Sequence, residues 1–217
     1  MSTDQLMVKQ GATLTGEASG DYFGYSVSIS ASGDTIVVGA YRANSNKGYV
    51  KVYKNISGTW TQQGAKITGE ASNDRFGVSV SISASGDTIV VGAHNAAVGG
   101  NSFTGYVKVY KNISGTWTQQ GAKITGEATG DYFGVLVSIS ASGDTIVVGA
   151  PYANSNTGYA KVYKNISGTW TQQGAKITGE ATGDYFGKSV SISASGDTIV
   201  VGAYGANSNT GYAKVYK

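Results

Sequence analysis

The stretch SISASGDTIVVGA, Ser28 to Ala40, decides the fold of this chain, and it recurs without change from Ser81, Ser138 and Ser191. Its first half alternates small polar and aliphatic residues, and its second half is a nearly continuous β-branched run. Both patterns are typical of β-strands. The Ser-Gly-Asp turn between them predicts a hairpin, since glycine accepts the positive φ that tight turns need. The repeated unit is therefore a β-hairpin.

The composition favours an all-β protein. Glycine accounts for 33 of the 217 residues, proline occurs once, and tyrosine (15) outnumbers phenylalanine (5). That mixture is typical of many short strands joined by glycine turns, and no window carries apolar residues at helical spacing. Because the chain has no cysteine, disulfides and thiolate metal sites are excluded.

The charge pattern argues against nucleic acid and membrane insertion. The formal net charge is +3, and lysines recur at repeated positions such as Lys51 and Lys108, so we expect a solvated surface rather than a basic stripe. The first residues, MSTDQLMVKQ, have no apolar core of signal-peptide length, and no run is long enough to span a membrane. The sequence assigns no cellular compartment.

The aspartate of the repeated turn defines the period. It stands at Asp34, Asp87, Asp144 and Asp197, roughly 55 residues apart, with one longer step caused by an insertion within His94 to Gly105. Periods above about 40 residues with several strands each indicate propeller blades rather than helical solenoids. We therefore predict a single β-propeller domain, residues 1–217, with blade repeats at about 15–67, 68–124, 125–177, and 178–217 plus 1–14.

Each blade is predicted to contain four antiparallel strands, which we call A to D from the axis outward. In the first blade these are Tyr25–Ser30, Thr35–Ala40, Tyr49–Lys54 and Trp60–Ile67. The residues Met7–Leu14 align with Trp60–Ile67, so the chain is expected to begin on a D strand. That N-terminal strand would close the ring by completing the last blade.

Four repeats allow two closed rings. One chain could form a four-bladed monomer, or two chains could form an eight-bladed homodimer by exchanging N-terminal strands. Four blades meet at wide angles that need bulky side chains, whereas strands A and B are rich in Ser, Gly, Ala and Val. The small residues favour the eight-bladed homodimer.

Three motifs resemble a known family. Asp21 to Gly24 (DYFG) is followed by SVSIS, Val148 to Pro151 reads VGAP, and the pattern GTWTQQGAKITGEATGDYFG recurs. Together they resemble the FG-GAP repeat of integrin-α-like β-propellers, in the near-identical form found in bacterial, algal and viral proteins. The resemblance implies propeller blades, with adhesion or ligand recognition on a loop face. Integrin-type blades often carry a calcium loop, but here SASGD supplies one carboxylate per blade, so calcium is not expected.

No catalytic constellation is evident. His94 is the single histidine, and we expect it on the surface of a loop. Apart from Asp4, the carboxylates stand at three repeated positions, exemplified by Glu17, Asp21 and Asp34. Equivalent copies indicate a structural role, in which they bond nearby backbone groups, rather than a catalytic pair in two different environments. We predict no catalytic residues, no metal, no cofactor and no enzymatic activity.

The differences between repeats collect on one face. The A–B and C–D turns do not vary, whereas the D–A and B–C connections and the first residue of strand A do. Loops on a rigid scaffold commonly carry recognition, and exposed aromatic and basic residues suit a glycan or protein ligand. The candidate ligand-binding residues are Tyr25, Arg42, Arg75, His94, Phe103, Tyr152 and Lys188.

Two functions follow from this pattern. The first is a non-enzymatic scaffold that recognises a glycan or protein through the variable D–A and B–C loop face. The alternative is an engineered or recently amplified symmetric propeller with no ligand, which would be a purely structural, self-assembling module.

Overall fold

The computed structural model describes residues 7–217, which form four antiparallel blades of a β-propeller, so the predicted all-β fold is confirmed. Within each blade the short inner strand pairs with the β-branched strand, and that strand pairs with a third one, which is longer in the first three blades. The first blade contains β1 Ser26–Ile29, β2 Thr35–Ala40, β3 Tyr49–Ile56, β4 Thr59–Gln62 and β5 Ile67–Thr68. The second contains β6 Ser79–Ile82, β7 Thr88–Ala93, β8 Tyr106–Ile113, β9 Thr116–Gln119 and β10 Ile124–Thr125. The third contains β11 Leu136–Ile139, β12 Thr145–Ala150, β13 Tyr159–Ile166 and β14 Thr169–Thr178, and the fourth contains β15 Ser189–Ile192, β16 Ile199–Ala203 and β17 Tyr212–Tyr216.

The outermost strand departs from the prediction. In the first two blades it is broken into two short pieces that both pair with the third strand, and only β14 runs without a break. Within residues 7–217 the fourth blade has three strands, because Met7–Leu14 forms no strand. The remainder of the predicted N-terminal segment, residues 1–6, lies outside the described residues.

Three short turns were not predicted. They are α1 Ala43–Asn46, α2 Ala153–Asn156 and α3 Ala206–Asn209. Each follows a B strand, and its central Asn-Ser pair has left-handed backbone angles, with φ of 51° and 57° in the first blade. Asparagine tolerates that conformation better than most residues, which explains its place there.

The core lies between the blades. Three buried clusters each join one blade to the next, and in the first of them Val37 and Val52 pack against Phe76 and Ile89. The β-branched strand is buried on both faces because it runs through the middle of the blade. Burial of these apolar side chains fixes the step from one blade to the next.

The two end faces of the array are open. No buried cluster within residues 7–217 joins the fourth blade to the first. Phe23 is only partly buried, whereas the equivalent Phe76, Phe133 and Phe186 are inaccessible to solvent. None of the helical turns in the described part of the chain is long or apolar enough to cross a bilayer.

Candidate ligand-binding site

A cavity of about 690 Å³ lies where the inner strands begin. Its walls come from the first residues of the A strands and from the residues that follow the B strands, so it lies at the variable loop face. Five of the seven sequence-predicted residues line it: Tyr25, Arg75, His94, Tyr152 and Lys188. The structure therefore brings together residues that are far apart in the sequence.

Arg42 and Phe103 do not line this cavity. The Arg42 guanidinium lies 4.5 Å from the centre of the Tyr22 ring and donates a hydrogen bond to the Tyr41 hydroxyl at 3.1 Å. The exposed Phe103 ring stacks on Tyr132 at 5.2 Å. Both side chains therefore belong to the rim of the variable face.

The loop that carries Arg75 has a fixed backbone. Arg75 has a φ of 57°, and the tyrosines at the same position in the other blades, such as Tyr132 at 51°, share that conformation. The Arg75 N–H donates to the Asn46 carbonyl of the preceding blade at 2.8 Å, and the next residue, Phe76, is fully buried. Because the main chain and Phe76 anchor the loop, the side chain at position 75 can vary among residues that tolerate a left-handed backbone.

Two nitrogen atoms in the cavity wall are buried without a hydrogen-bond partner. They are Nε of Arg75 and Nδ1 of His94. The cavity wall also includes Lys188, and no aspartate or glutamate of the described chain lines it. Because the Arg75 guanidinium and the Lys188 ammonium have no carboxylate of residues 7–217 beside them in the cavity wall, the cavity suits an anionic group.

His94 was expected on the surface, and that expectation is wrong. The side chain is buried, and its ring centre lies 5.8 Å from that of Tyr132. Burial, reinforced by the nearby charges of Arg75 and Lys188, lowers the pKa of His94 to about 4. Sequence reasoning missed this burial because the residue stands beside an insertion, which usually indicates an exposed loop.

The buried His94 predicts a pH-dependent loss of stability. The unfolded chain binds the proton near the ordinary pKa of 6.5 and the folded chain near 4, so stability is retained above pH 6.5 and falls as the pH drops. We expect a loss of about 2 kcal/mol between pH 7 and pH 5. Urea unfolding at both pH values measures it. His94→Tyr is the matched variant, because Tyr41 is buried at the same position, and an equal pH effect in that variant would contradict the assignment.

A belt of aromatic rings continues from the cavity along the variable face. The pairs Tyr132–Tyr152, Tyr152–Tyr185 and Tyr185–Tyr204 have ring centres 5.1, 5.7 and 5.0 Å apart. The Lys188 ammonium lies 5.4 Å from the Tyr152 ring centre. Tyr132, Tyr185 and Tyr204 were missed as site residues, since the first two belong to a repeated motif that was interpreted as structural.

A repeated carboxylate holds each D–A loop. In the third blade Asp131 accepts hydrogen bonds from the N–H groups of Glu127 (2.9 Å) and Ala128 (3.1 Å), as expected, and also from the Tyr159 hydroxyl (2.8 Å). Burial, and then the hydrogen bond to Asp131, raise the pKa of the Tyr159 phenol, which stays protonated as the donor. The Asp131 carboxylate is thus structural.

The first lysine of strand C is largely buried in the first three blades, at Lys51, Lys108 and Lys161, which corrects the prediction of a solvated surface for these positions. Lys161 is buried, and its ammonium lies 2.7 Å from Glu127, which also pairs with Lys176. Hydrogen bonds from Lys161 and Lys176 lower the pKa of Glu127. The glutamates of this position therefore bind lysines rather than the loop backbone.

The turn aspartates have a different partner from the one predicted. Asp34 accepts hydrogen bonds from the hydroxyls of Ser32 (2.7 Å), Thr35 (2.8 Å) and Ser30 (3.2 Å), rather than from backbone N–H groups. Its role in closing the A–B turn is as expected. Across residues 7–217, no three histidine or carboxylate side chains group closely enough to hold a metal ion.

Comparison with known proteins agrees with this architecture. Among solved structures, TolB from Acinetobacter baumannii is similar at 12% identity and a TM-score of 0.51, with 88% of this chain and 42% of that chain covered. A putative 6-phosphogluconolactonase from Bacteroides uniformis is similar at 10% identity and a TM-score of 0.55, with 87% and 52% covered. Kuenenia stuttgartiensis hydrazine synthase has 15% identity and a TM-score of 0.49, with 90% and 59% covered. The chain thus spans about two fifths to three fifths of the length of these structures.

No curated protein sequence matches the chain. At this low identity the structural likeness concerns the fold alone. The FG-GAP repeat family, in contrast, matches four times, at residues 10–53, 60–110, 117–163 and 170–216. These matches cover most of the chain, one for each blade, and the chain therefore belongs to the FG-GAP repeat family.

Proposed function

We propose that this propeller is a non-enzymatic recognition module that binds an acidic glycan in the cavity at the variable loop face. The observation that carries the proposal is the cavity wall, which contains the Arg75 guanidinium and the Lys188 ammonium beside His94 and no aspartate or glutamate of residues 7–217. A carboxylate or sulfate group of a sugar would accept charge-assisted hydrogen bonds from the Arg75 guanidinium and the Lys188 ammonium.

The aromatic belt supports a sugar as the rest of the ligand. Saccharide rings present C–H faces that pack on aromatic rings and hydroxyls that exchange hydrogen bonds with polar side chains. Tyr25 and Tyr152 stand in the cavity wall, and Tyr132 and Tyr185 extend the aromatic surface beyond it. A ligand of several sugars could contact the cavity and the belt together.

The carboxylates support binding rather than catalysis. Glycoside hydrolysis uses two carboxyl groups in different environments facing the same bond. In the described chain the aspartates of the D–A loops accept backbone and tyrosine hydrogen bonds, and the glutamates beside them pair with lysines. No carboxylate of residues 7–217 lines the cavity.

A glycan array followed by titration calorimetry tests the proposal. We expect binding to uronic-acid or sulfated saccharides and none to their neutral counterparts. Arg75→Tyr and Lys188→Val replace each cation with the residue found in other blades, such as Tyr132 and Val135. Each should weaken binding about 10-fold or more, because a hydrogen bond to a charged group contributes about 1.5–3 kcal/mol.

Lys47→Thr is the matched control. It removes one positive charge from a B–C loop outside the cavity and introduces the residue found at Thr157 and Thr210. Affinity should be unchanged in this variant. Equal weakening by all three substitutions would show that net charge, rather than contacts in the cavity, determines the affinity. An absence of binding to every acidic glycan would favour a structural module without a ligand.

A further inference from the structure

The three contacts between successive blades repeat the same hydrogen bonds. The backbone N–H of Ala31 donates to the Ala84 carbonyl at 3.1 Å, Ala84 donates to Ala141 at 3.0 Å, and Ala141 donates to Ala194 at 3.0 Å. The row ends there, because Ala194 makes no such bond to Ala31 within residues 7–217. The fourth contact, which a closed four-bladed ring needs between the fourth blade and the first, is absent within residues 7–217.

The two end faces expose the same side chains that the inner contacts bury. On the first blade Val27 is 66% exposed, whereas its equivalent Val80 is 8% exposed. On the fourth blade Val215 is 69% exposed, whereas its equivalent Val52 is 2% exposed. The end faces are therefore complementary halves of the contact that the chain already makes three times.

The N-terminal segment already stands at the place of a strand from a preceding blade. The Trp60 Nε1–H donates to the Gln10 carbonyl at 3.1 Å, just as Trp117 donates to Gln63 at 2.9 Å. Gln63 belongs to the outer part of the first blade, so Gln10 occupies the matching position one step earlier. At the other end of the chain, β17 has no fourth strand beside it within the described residues.

We infer that a second copy of this chain completes the ring. Two copies related by a two-fold axis would place the fourth blade of each against the first blade of the other, giving eight blades. Propellers have about four to eight blades, and eight is the one multiple of four in that range which remains once four fails to close. This inference concerns assembly and does not depend on the proposed ligand.

The pairing of the closing strand follows from the third blade. There Val162 lies opposite Gln173, and Ala160 lies opposite Ile177. Transferred to the new contact, Val215 would lie opposite the partner's Gln10, and Ala213 opposite the partner's Leu14. Segment Met7–Leu14 would then become a strand by pairing with β17 of the partner, which also covers an exposed sheet edge.

The closed ring also changes the cavity. Its wall includes Tyr25 from the first blade and Lys188 from the fourth, which are the two blades at the open ends. Closure would bring each copy's Lys188 next to the partner's Tyr25. The binding surface would then continue around the axis across both copies.

Light scattering on the purified chain tests the inference. We expect twice the mass of the 22.2 kDa chain, and a mass of one chain would overturn the proposal. Val215→Asp should give the mass of one chain with an unchanged circular dichroism spectrum, because that side chain is exposed in the single copy. Ile56→Asp is the control, since Ile56 is exposed in the C–D turn region away from both end faces, and it should keep the double mass.

Gly202→Ala tests the same contact between copies by introducing a steric clash. Within one chain the three atoms nearest to a methyl group at Gly202 all belong to Ser189, whereas at Gly149 the nearest atom is the Gly187 carbonyl oxygen of the next blade. In the closed ring the new methyl would meet the partner's Gly24 in the same way. We expect this variant to weaken assembly at least 10-fold, and an unchanged dimer affinity would contradict the proposed contact.

Cysteine cross-linking distinguishes two chains from one. The chain has no cysteine, so Ala31→Cys together with Ala194→Cys creates a single oxidisable pair per contact. We expect a covalent two-chain product on a non-reducing denaturing gel, because the equivalent Ala141 and Ala194 are backbone neighbours. A one-chain product, whether internally oxidised or still reduced, would overturn the proposal. Ala84→Cys with Ala141→Cys is the control that should link within one chain.

Discussion

Gly92→Ala should lower the free energy of unfolding by about 3 kcal/mol or more, because overpacking at this point separates two blades. An added methyl group would clash with the Gly134 carbonyl oxygen of the next blade and lie 3.1 Å from its carbonyl carbon. Those atoms belong to the main chain and cannot rotate away. Urea unfolding of the variant measures the loss.

The fourth blade offers the matched comparison. Gly202 stands at the equivalent position, but within one chain its methyl group would meet Ser189 side-chain atoms at closest approach, and the Ser189 hydroxyl can turn aside. Measured where the chain is a single copy, as in the Val215→Asp background, Gly202→Ala should cost less than 1 kcal/mol. Similar losses for both alanine variants would mean that contact between blades does not determine the effect.

Asp131→Ala should cost about 4 kcal/mol, which is the second large effect. The substitution leaves three donors without their acceptor: the N–H groups of Glu127 and Ala128 and the hydroxyl of Tyr159. Tyr159 is almost fully buried, so water reaches its hydroxyl poorly. Each buried donor left unsatisfied costs about 1–3 kcal/mol, and partial hydration of the loop reduces the total.

Two variants separate the contribution of the tyrosine hydroxyl from that of the backbone donors and test the effect of burial. Tyr159→Phe removes one donor and leaves the carboxylate with two backbone partners, so we expect a loss of about 1 kcal/mol. Asp184→Ala removes the equivalent carboxylate in the fourth blade, where Tyr212 is partly exposed, and should cost less than Asp131→Ala in the single copy. A loss below 1 kcal/mol for Asp131→Ala itself would show that the loop does not depend on this carboxylate.

Strand B could be predicted because its side chains are buried on both faces of the blade. The run Thr35–Ala40 is apolar at nearly every position and lies in the middle of a blade, so local pattern and tertiary burial agree. The outer strand was predicted less well. It pairs on one side, and the same sequence TWTQQGAKIT forms two pieces in the first blade and one irregular strand in the third, so its extent depends on contacts that local sequence does not determine.

The candidate site could be predicted in part. Comparing repeats identified Arg75, His94 and Lys188 because each differs from its equivalents, and the structure places all three at one cavity. The same comparison overlooked Tyr132 and Tyr185, which repeat and yet form part of the aromatic belt. Burial of His94 was also missed, because it results from packing between elements that are distant in the sequence.

The way the D–A loops are held makes this chain suitable for laboratory selection. Asp131 and its equivalents accept hydrogen bonds from backbone N–H groups of the loop and from the hydroxyl of a tyrosine in strand C. The loop main chain also donates a hydrogen bond to the preceding blade, as Arg75 does to Asn46. Neither attachment uses the side chain at position 75 or its equivalents. A combinatorial library could therefore vary those positions in several blades at once among residues that tolerate a positive φ, and clones displayed on phage would share one backbone while differing in their binding surface.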